Sequence, residues 1–291
     1  MPSRPLLAAA ATLLAAGCMN HPIPADRTIE STFPTVPREA SLPPDFRVVA
    51  FNVHMEPGAH IVKAFAADKQ LRDADLIMME EVHRVGTTCS GACELGRALG
   101  DYALFAPGHV NGDGTDGVAI ISKAPILSAE VIELPAFNVH INGGRRIAMA
   151  ATLLVAGAPV TVYAVHLENR LSVADRRTQM TPVLLHAQAQ HNPVIIGGDF
   201  NTSPFTWLAH LIPILTATQD DRFEELVRSH GLDTPVSESG ATHRNFAMKL
   251  DGIYTRGFAT TRFATTDGAG LSDHLALWAD VFERTAKPSS N

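Results

Sequence analysis

The chain has 291 residues, of which 46% are hydrophobic and 18% charged, and its formal charge is −7. Such a composition supports a sizeable core in one large domain or two small ones. The negative balance removes any long-range attraction for nucleic-acid phosphates or an anionic membrane surface, which argues against a protein that coats DNA nonspecifically, although a local basic cleft remains compatible with it.

Arg4 precedes the apolar stretch Leu6 to Ala16, and Leu14-Ala15-Ala16-Gly17-Cys18 closes it with small residues, as an export signal does. The stretch is too short to span a bilayer. Leu-Ala-Ala-Gly-Cys resembles a bacterial lipoprotein cleavage box, in which the cysteine becomes the acylated first residue. The resemblance implies a signal peptide over 1–17, a mature chain that starts at Cys18, and a membrane attachment made of acyl chains. Met19 stands where the inner-membrane retention signal usually has Asp, so the implied location is the outer membrane, facing periplasm or exterior. The alternative is an ordinary export signal with a chance cysteine. Residues 18–44 carry Pro22, Pro24, Pro34, Pro37, Pro43 and Pro44 among polar residues with no apolar period, and read as a flexible tether.

Folded structure is expected over 45–284, with a disordered tail at 285–291. Phe46 to Phe51 is a strand that ends at Asn52. Ile61, Ala64, Phe65 and Leu71 recur at helical spacing, and Leu76-Ile77-Met78-Met79 is a second strand closed by Glu80-Glu81. In an extended segment those two glutamates point to opposite faces, so only one shares a face with Asn52. A carboxylate closing a buried apolar strand is costly unless paired or bound to a cation.

Cys89 and Cys93 lie four residues apart, and in an oxidising compartment a local disulfide is the leading reading. Metal binding there, with His83 and Glu94, matches no zinc spacing. A short helix over 94–99 and a strand over 102–105 follow, then a Gly-, Asn- and Asp-rich loop over 108–116. Strands are expected at 117–122 and 125–134. Asn142-Gly143-Gly144 is a hairpin signal with Arg145 and Arg146 at its tip. The strands 147–155 and 160–165 come next, the second ending at His166. Val173 to Gln190 is a helix with Met180, Val183, Leu184 and Ala187 on one stripe, and it leads to the buried strand 193–196 and Gly197-Gly198-Asp199-Phe200-Asn201. A helix over 220–230, a short strand opened by Leu250 and Asp251, a strand over 258–264, and Ser272-Asp273-His274 before a last strand complete the chain. Alternating α and β with central hairpins implies mixed sheets.

Taken singly, each polar residue at a strand end is a turn or a cap. Together Asn52, Glu81, His166, Asp199 with Asn201, Asp251, and Asp273 with His274 supply carboxylates, carboxamides and imidazoles at the ends of separate strands. They are better explained by one hard-cation site with acid/base groups beside it. Oxygen donors favour Mg²⁺, with Mn²⁺ or Ca²⁺ as alternatives, over zinc.

The ordered set Phe-Asn-Val-His (51–54), Asp-Leu-Ile-Met-Met-Glu-Glu-Val (75–82), Gly-Val-Ala-Ile-Ile-Ser-Lys-Ala-Pro-Ile (117–126), Val-His-Leu (165–167), Arg176-Arg177-Thr178-Gln179, Gly-Gly-Asp-Phe-Asn (197–201), Leu-Asp-Gly-Ile-Tyr (250–254) and Ser-Asp-His (272–274) resembles the endonuclease/exonuclease/phosphatase superfamily, over about residues 46–282. The resemblance implies a four-layer α/β/β/α sandwich with two central mixed β-sheets and the site at one edge. It implies that Glu81 is the principal metal ligand, supported by Asn52 and Asp273. Asp199 would position or deprotonate the attacking water, and Asn201 would hold a phosphate oxygen. Asp251 would orient His274, which contacts phosphate or acts as base, while His166 donates a hydrogen bond or proton. Glu80 departs from the family pattern, where many relatives have Gln, and adds negative charge if it faces inward.

The implied reaction is metal-dependent hydrolysis of a phosphate ester by in-line attack of an activated water, with a phosphodiesterase of endonuclease type as the leading expectation. The substrate is left open by fold and motif. Arg145, Arg146, Arg170, Arg176 and Arg177 favour a nucleic-acid diester if they track a phosphate backbone, and are otherwise solvated charges. A lipid phosphodiesterase would sit near its substrate through the anchor, but no exposed aromatic hairpin is legible; a small-molecule phosphatase and a non-catalytic tethered binding protein are the further alternatives. A monomer is expected.

Overall fold

The computed structural model describes residues 20–36, 40–139, 143–216 and 219–284. Cys18, Asn142 and the expected tail 285–291 lie outside them. In chain order the strands are β1 (Glu30–Thr32), β2 (Asp45–Asn52), β3 (Leu76–Val85), β4 (Tyr102–Asn111), β5 (Gly114–Ser122), β6 (Ile126–Glu133), β7 (Ile147–Val155), β8 (Ala158–His166), β9 (Val194–Asp199), β10 (Phe205–Leu208), β11 (Ile212–Leu215), β12 (Asp251–Arg256), β13 (Phe258–Thr266) and β14 (Ala276–Glu283). The helices are α1 (Gly58–Ala67), α2 (Lys69–Arg72), α3 (Gly91–Leu99), α4 (Val173–Ala189) and α5 (Gln219–Ser229).

Period-two alternation in the apolar strands builds the layers. Ala50, Met78, Ile120 and Ile195 face one shared core between a seven-stranded sheet (β1-β4-β5-β3-β2-β14-β13) and a five-stranded sheet (β12-β9-β8-β7-β6). Their neighbours Phe51, Met79 and Ile121 face outward onto Ile61, Phe65 and Leu95 of α1 and α3, while Ile196 faces the α4 stripe Met180, Val183, Leu184 and Phe223 of α5. The result is the expected α/β/β/α sandwich of two mixed sheets.

Topology gathers the polar strand ends. β2 and β3 run parallel, with Asn52 opposite Glu80; β8 and β9 run parallel, with His166 opposite Asp199. β12 runs antiparallel to β9 and begins where β9 ends, so Asp251 faces Asp199. β14 is antiparallel to β2, which brings the residues just before it, including His274, to the same edge.

Several expectations are corrected. The segment taken as a free tether packs on the domain. His21 N–H donates to Gly143 O (2.8 Å), Val110 N–H donates to Pro22 O (2.7 Å), β1 pairs antiparallel with β4, and Leu42 is buried against β7. An extended, proline-rich stretch cannot form a helix, but it can cover the otherwise unpaired edge of β4. The helical run 60–72 is divided at Asp68, whose carboxylate accepts from Gln70 N–H and Leu71 N–H and starts α2 afresh. The loop 108–116 is the continuation of β4 and β5 into one hairpin. Gly143-Gly144 does not tip a hairpin; β6 pairs with β7 across the long connection 134–146.

Candidate active site

Two backbone features form the floor of the site. Gly198 has φ 153°, and a Cβ there would collide with the Val165 carbonyl oxygen, so only glycine lets β9 approach β8 this closely beside Asp199. In β3, the pairing with β5 shifts register between Met79 and Val82, and Glu81 takes φ 52°. This bulge breaks the alternation assumed from the sequence. Glu80 is wholly buried, with Asp251, Asp199, His274 and Glu81 as its charged neighbours, while Glu81 turns into the cavity mouth. A left-handed glutamate costs about 1–3 kcal/mol, held here by the sheet on both sides.

A continuous line of polar contacts crosses the edge. Asn52 Nδ2 donates to both Glu81 Oε1 (3.1 Å) and Asp199 Oδ2 (3.0 Å). Asp199 Oδ1 accepts from Asn201 N–H (2.9 Å), and His274 Nε2 lies 3.8 Å from Asp199 Oδ2. His274 Nδ1 donates to Asp251 Oδ2 (2.9 Å). Burial opposes charge on His274, but the carboxylates of Asp251 and Asp199 outweigh it and raise its pKa to about 10. Burial raises Asp199 to about 7, against the lowering charge of His274. His274 is therefore an imidazolium at neutral pH, a donor for a phosphate oxygen, and Asp199 is the carboxylate poised to take a proton.

On the other wall His166 is buried, with Arg146 Nη1 3.2 Å from Nδ1. Burial first, then the Arg146 charge, holds its pKa well below the usual histidine range. The same Nη1 lies 3.4 Å from Nε2; the shorter contact makes Nδ1 the acceptor and assigns the proton of the neutral ring to Nε2, which lies 3.8 Å from Glu81 Oε1 and 3.7 Å from Asp199 Oδ2. Arg146 is fixed by a fork onto Glu168 (3.2 and 3.3 Å), itself buried.

The remaining candidates are placed differently. Asn52 Oδ1 accepts from His54 N–H (3.0 Å) while its Nδ2 holds Glu81 and Asp199, so in this structure it positions those two carboxylates. Asn201, with φ 52°, spends one amide hydrogen on Leu167 O (2.9 Å) and has the other left for a substrate oxygen. Asp273 sits on the rim with His54 (3.4 Å) and His243 (3.4 Å), in a donor cluster with His243 and His274 rather than with Glu81. Arg145 lines the cavity, but its guanidinium is engaged by Glu133 and the Pro107 carbonyl. Arg176 is buried on Glu168 O, Asn169 O and Gln219, a structural arginine. Cys89 and Cys93 are joined as a disulfide beside the start of α3. Glu168, His243, His54, Trp207 and Phe246 were not singled out from sequence. Glu168 had a signal, two residues after His166 on the same face; the others come from irregular segments or β10.

The donor chemistry fits a hard divalent cation. Glu81 and Asp199 present carboxylate oxygens within 4.8 Å of one another beside the His166 ring, and Asp199, Asp251 and His274 form a second such group. Two carboxylates drawn together by one amide offer hard oxygen donors at the cavity mouth, and Glu81 and Asp199 are the residues that would hold the ion. The cavity around them has a volume of about 700 Å³ and is closed at its sides by His109, Arg170, Trp207 and Phe246.

Glu80 has no partner for either carboxylate oxygen among the described residues. Burial, then the charges of Asp251 and Asp199, raises its pKa well above the ordinary 4.5, so the group is held as the neutral acid. A neutral carboxyl has the shape of the glutamine implied for relatives, which is why the extra acid is tolerated. The sign follows: its stabilising contribution is complete below about 4.5 and is lost as pH rises through the higher folded value. Glu80→Gln is therefore expected to melt increasingly above the wild type as pH rises from about 5 to about 9 in chelator. Parallel melting curves across that range would remove Glu80 from this account.

Residues 49–274 match the endonuclease/exonuclease/phosphatase family. No curated protein sequence matches the chain. Among solved structures, an endonuclease/exonuclease/phosphatase from Beutenbergia cavernae is 20% identical over 84% of this chain and 73% of its own, with a TM-score of 0.67. The human Nocturnin catalytic domain with bound sulfate is 19% identical over 85% of this chain and 98% of its own (TM-score 0.61). D. rerio TDP2 in complex with a single-strand DNA product is 17% identical over 81% and 98% (TM-score 0.59). The match across most of the sequence, on a sandwich whose polar strand ends meet at one edge, shows that the chain belongs to the endonuclease/exonuclease/phosphatase family of phosphoesterase hydrolases, in which divalent-metal dependence is typical.

Proposed function

We propose that the chain is a Mg²⁺-dependent phosphodiesterase, acylated at Cys18 in the outer membrane, that hydrolyses its substrate by in-line attack of water. The observation that carries this is the line Glu81–Asn52–Asp199–His274–Asp251, with two carboxylates on one amide at one end and a carboxylate-held imidazolium at the other. The cation supplies neutralisation of the charge that develops on phosphate. Asp199 directs and deprotonates the water, with Asn52 and Asn201 N–H fixing its two oxygens. His274 donates Nε2–H to a phosphate oxygen, and Asp251 holds the ring. The neutral His166 donates from the opposite wall. Arg146, tied to Glu168, keeps His166 in that tautomer and adds positive charge to the cavity.

The endonuclease form of this reading has lost part of its sequence support. Of the arginines that would track a phosphate backbone, Arg145 and Arg176 are committed to internal partners, and Arg146 lies inside the cavity. Arg177 lines a separate cleft between α4 and α5, and Arg170 remains on the rim, its guanidinium 5.4 Å from the Trp207 ring. A diester that fits the cavity is therefore favoured over a long duplex. The test is hydrolysis of bis-p-nitrophenyl phosphate, p-nitrophenyl phosphate, sphingomyelin and plasmid DNA with Mg²⁺ and with excess chelator. Metal-dependent cleavage of the small diester, with the monoester much slower, is expected. Plasmid nicking as the dominant activity would restore the endonuclease form, and no hydrolysis of any of the four would sink the enzyme reading.

A further inference from the structure

The β10–β11 hairpin is apolar on the side that faces water. Leu208, Leu211, Ile212, Ile214 and Leu215 are between 45% and 74% exposed, and from Thr202 to Thr218 the sequence contains no Asp, Glu, Lys or Arg. The same hairpin turns Phe205 and Trp207 into the catalytic cavity. Phe246, 69% exposed, stands on the cavity rim beside His243. Exposed apolar side chains grouped at a functional opening mark an interaction face. The described chain also begins at that opening: His21 lines the cavity and lies against His109, ring centroids 4.7 Å apart. Two residues, Met19 and Asn20, separate it from Cys18, a span of no more than about 11 Å.

We propose that the mouth of the catalytic cavity is a membrane-docking face, in which the β10–β11 hairpin and Phe246 enter a lipid bilayer surface while the amino-terminal anchor emerges at the same rim. The hairpin carries no cation and the protein is acidic, so the surface it suits is a zwitterionic one, entered by apolar burial and insensitive to salt. Substrate would then reach Asp199 and His274 from the bilayer side. The docking face goes beyond the phosphodiesterase reading, and the two fail separately in the experiment below.

The hairpin carries its own probe. Of the two tryptophans, Trp207 is on β10, and Trp278 is in the core under α1, beneath Arg47. The full chain is mixed with phosphatidylcholine vesicles containing brominated acyl chains. Loss of roughly half or more of the Trp207 emission is expected, unchanged between low and high salt. Ile212→Glu with Leu215→Glu should abolish that quenching while hydrolysis of bis-p-nitrophenyl phosphate in solution stays at the wild-type rate, which also shows that the variant is folded. Trp207→Phe should remove the quenchable signal and identify its source. Unquenched Trp207, quenching that persists in the double variant, or a hairpin-dependent dimer without quenching would each overturn the proposal.

Discussion

Replacing Asp199 by Asn is expected to lower kcat on a small phosphate diester by about 10²–10⁴-fold, the range that a positioned general base contributes. Asn at this position has one carbonyl oxygen where Asp199 uses two, Oδ1 accepting from Asn201 N–H (2.9 Å) and Oδ2 from Asn52 Nδ2 (3.0 Å), so it keeps one of these contacts, and a melting curve run beside the kinetics separates loss of the base from loss of the fold. The pH dependence gives the assignment a sign. Asp199 acts as a base only after losing its proton, and burial has moved that event from 3.8 to about 7. With little cation bound, kcat/KM should rise with pH through about 7. A bound cation favours the carboxylate, so more Mg²⁺ should move this limb to lower pH. On the alkaline side the rate should fall as the His274 imidazolium, raised to about 10 by Asp251 and Asp199 against its burial, gives up its proton. His274→Gln should remove that alkaline limb and keep the acid one, moved to higher pH because the His274 charge that lowers the Asp199 pKa is gone. Profiles from about pH 5 to about 10.5 check both assignments, and an acid limb that survives Asp199→Asn would put the base elsewhere.

The parts of this site that were legible in sequence are those whose signal is local. Asn52, His166 and Asp199 each close an apolar run, and parallel pairing of β2 with β3 and of β8 with β9 carries such ends to one edge. Asp251 and His274 were legible for the converse reason, standing at the start of strands that run the other way. What failed had a partner far away in the chain. The two glutamates could not be sorted by alternation, because the bulge in β3 depends on its register with β5, which is not written in residues 76–85. Arg145 and Arg146 looked like free charges because Glu133 and Glu168, the groups that hold them, lie 12 and 22 residues away. The proline-rich amino terminus looked free because the edge of β4 that it covers is a tertiary feature. The β10–β11 pair was missed because neither strand has the alternation of a half-buried strand; Ile212 to Leu215 is exposed throughout.

The same residues make opposite demands on stability with and without a cation, and Glu81 exposes the difference. Glu81 and Asp199 share one Asn52 amide, above a buried Glu80 that has no partner among the described residues. Without a cation, and with Glu80 held neutral, the Glu81 and Asp199 carboxylates face each other, and Glu81 does so from a left-handed backbone position. Glu81→Gln should therefore melt at or above the wild-type temperature in chelator. It relieves repulsion with Asp199 and keeps the side-chain volume, and its amide oxygen can still accept from Asn52 Nδ2. In Mg²⁺ the order should reverse. A ligand that binds only the folded state at about 100 times its Kd stabilises it by about 2.7 kcal/mol, and the wild type should gain that shift while Glu81→Gln loses most of it. Hydrolysis should fall with it by about 10²-fold or more at the Mg²⁺ level that saturates the wild type, with partial recovery at higher concentration if what is lost is affinity. Thermal melting with and without Mg²⁺, run beside the kinetic titration, separates the two effects. An undiminished Mg²⁺-dependent shift in Glu81→Gln would mean that the cation is held by the Asp199–Asp251–His274 group or by the rim cluster of His243, Asp273 and His274 instead.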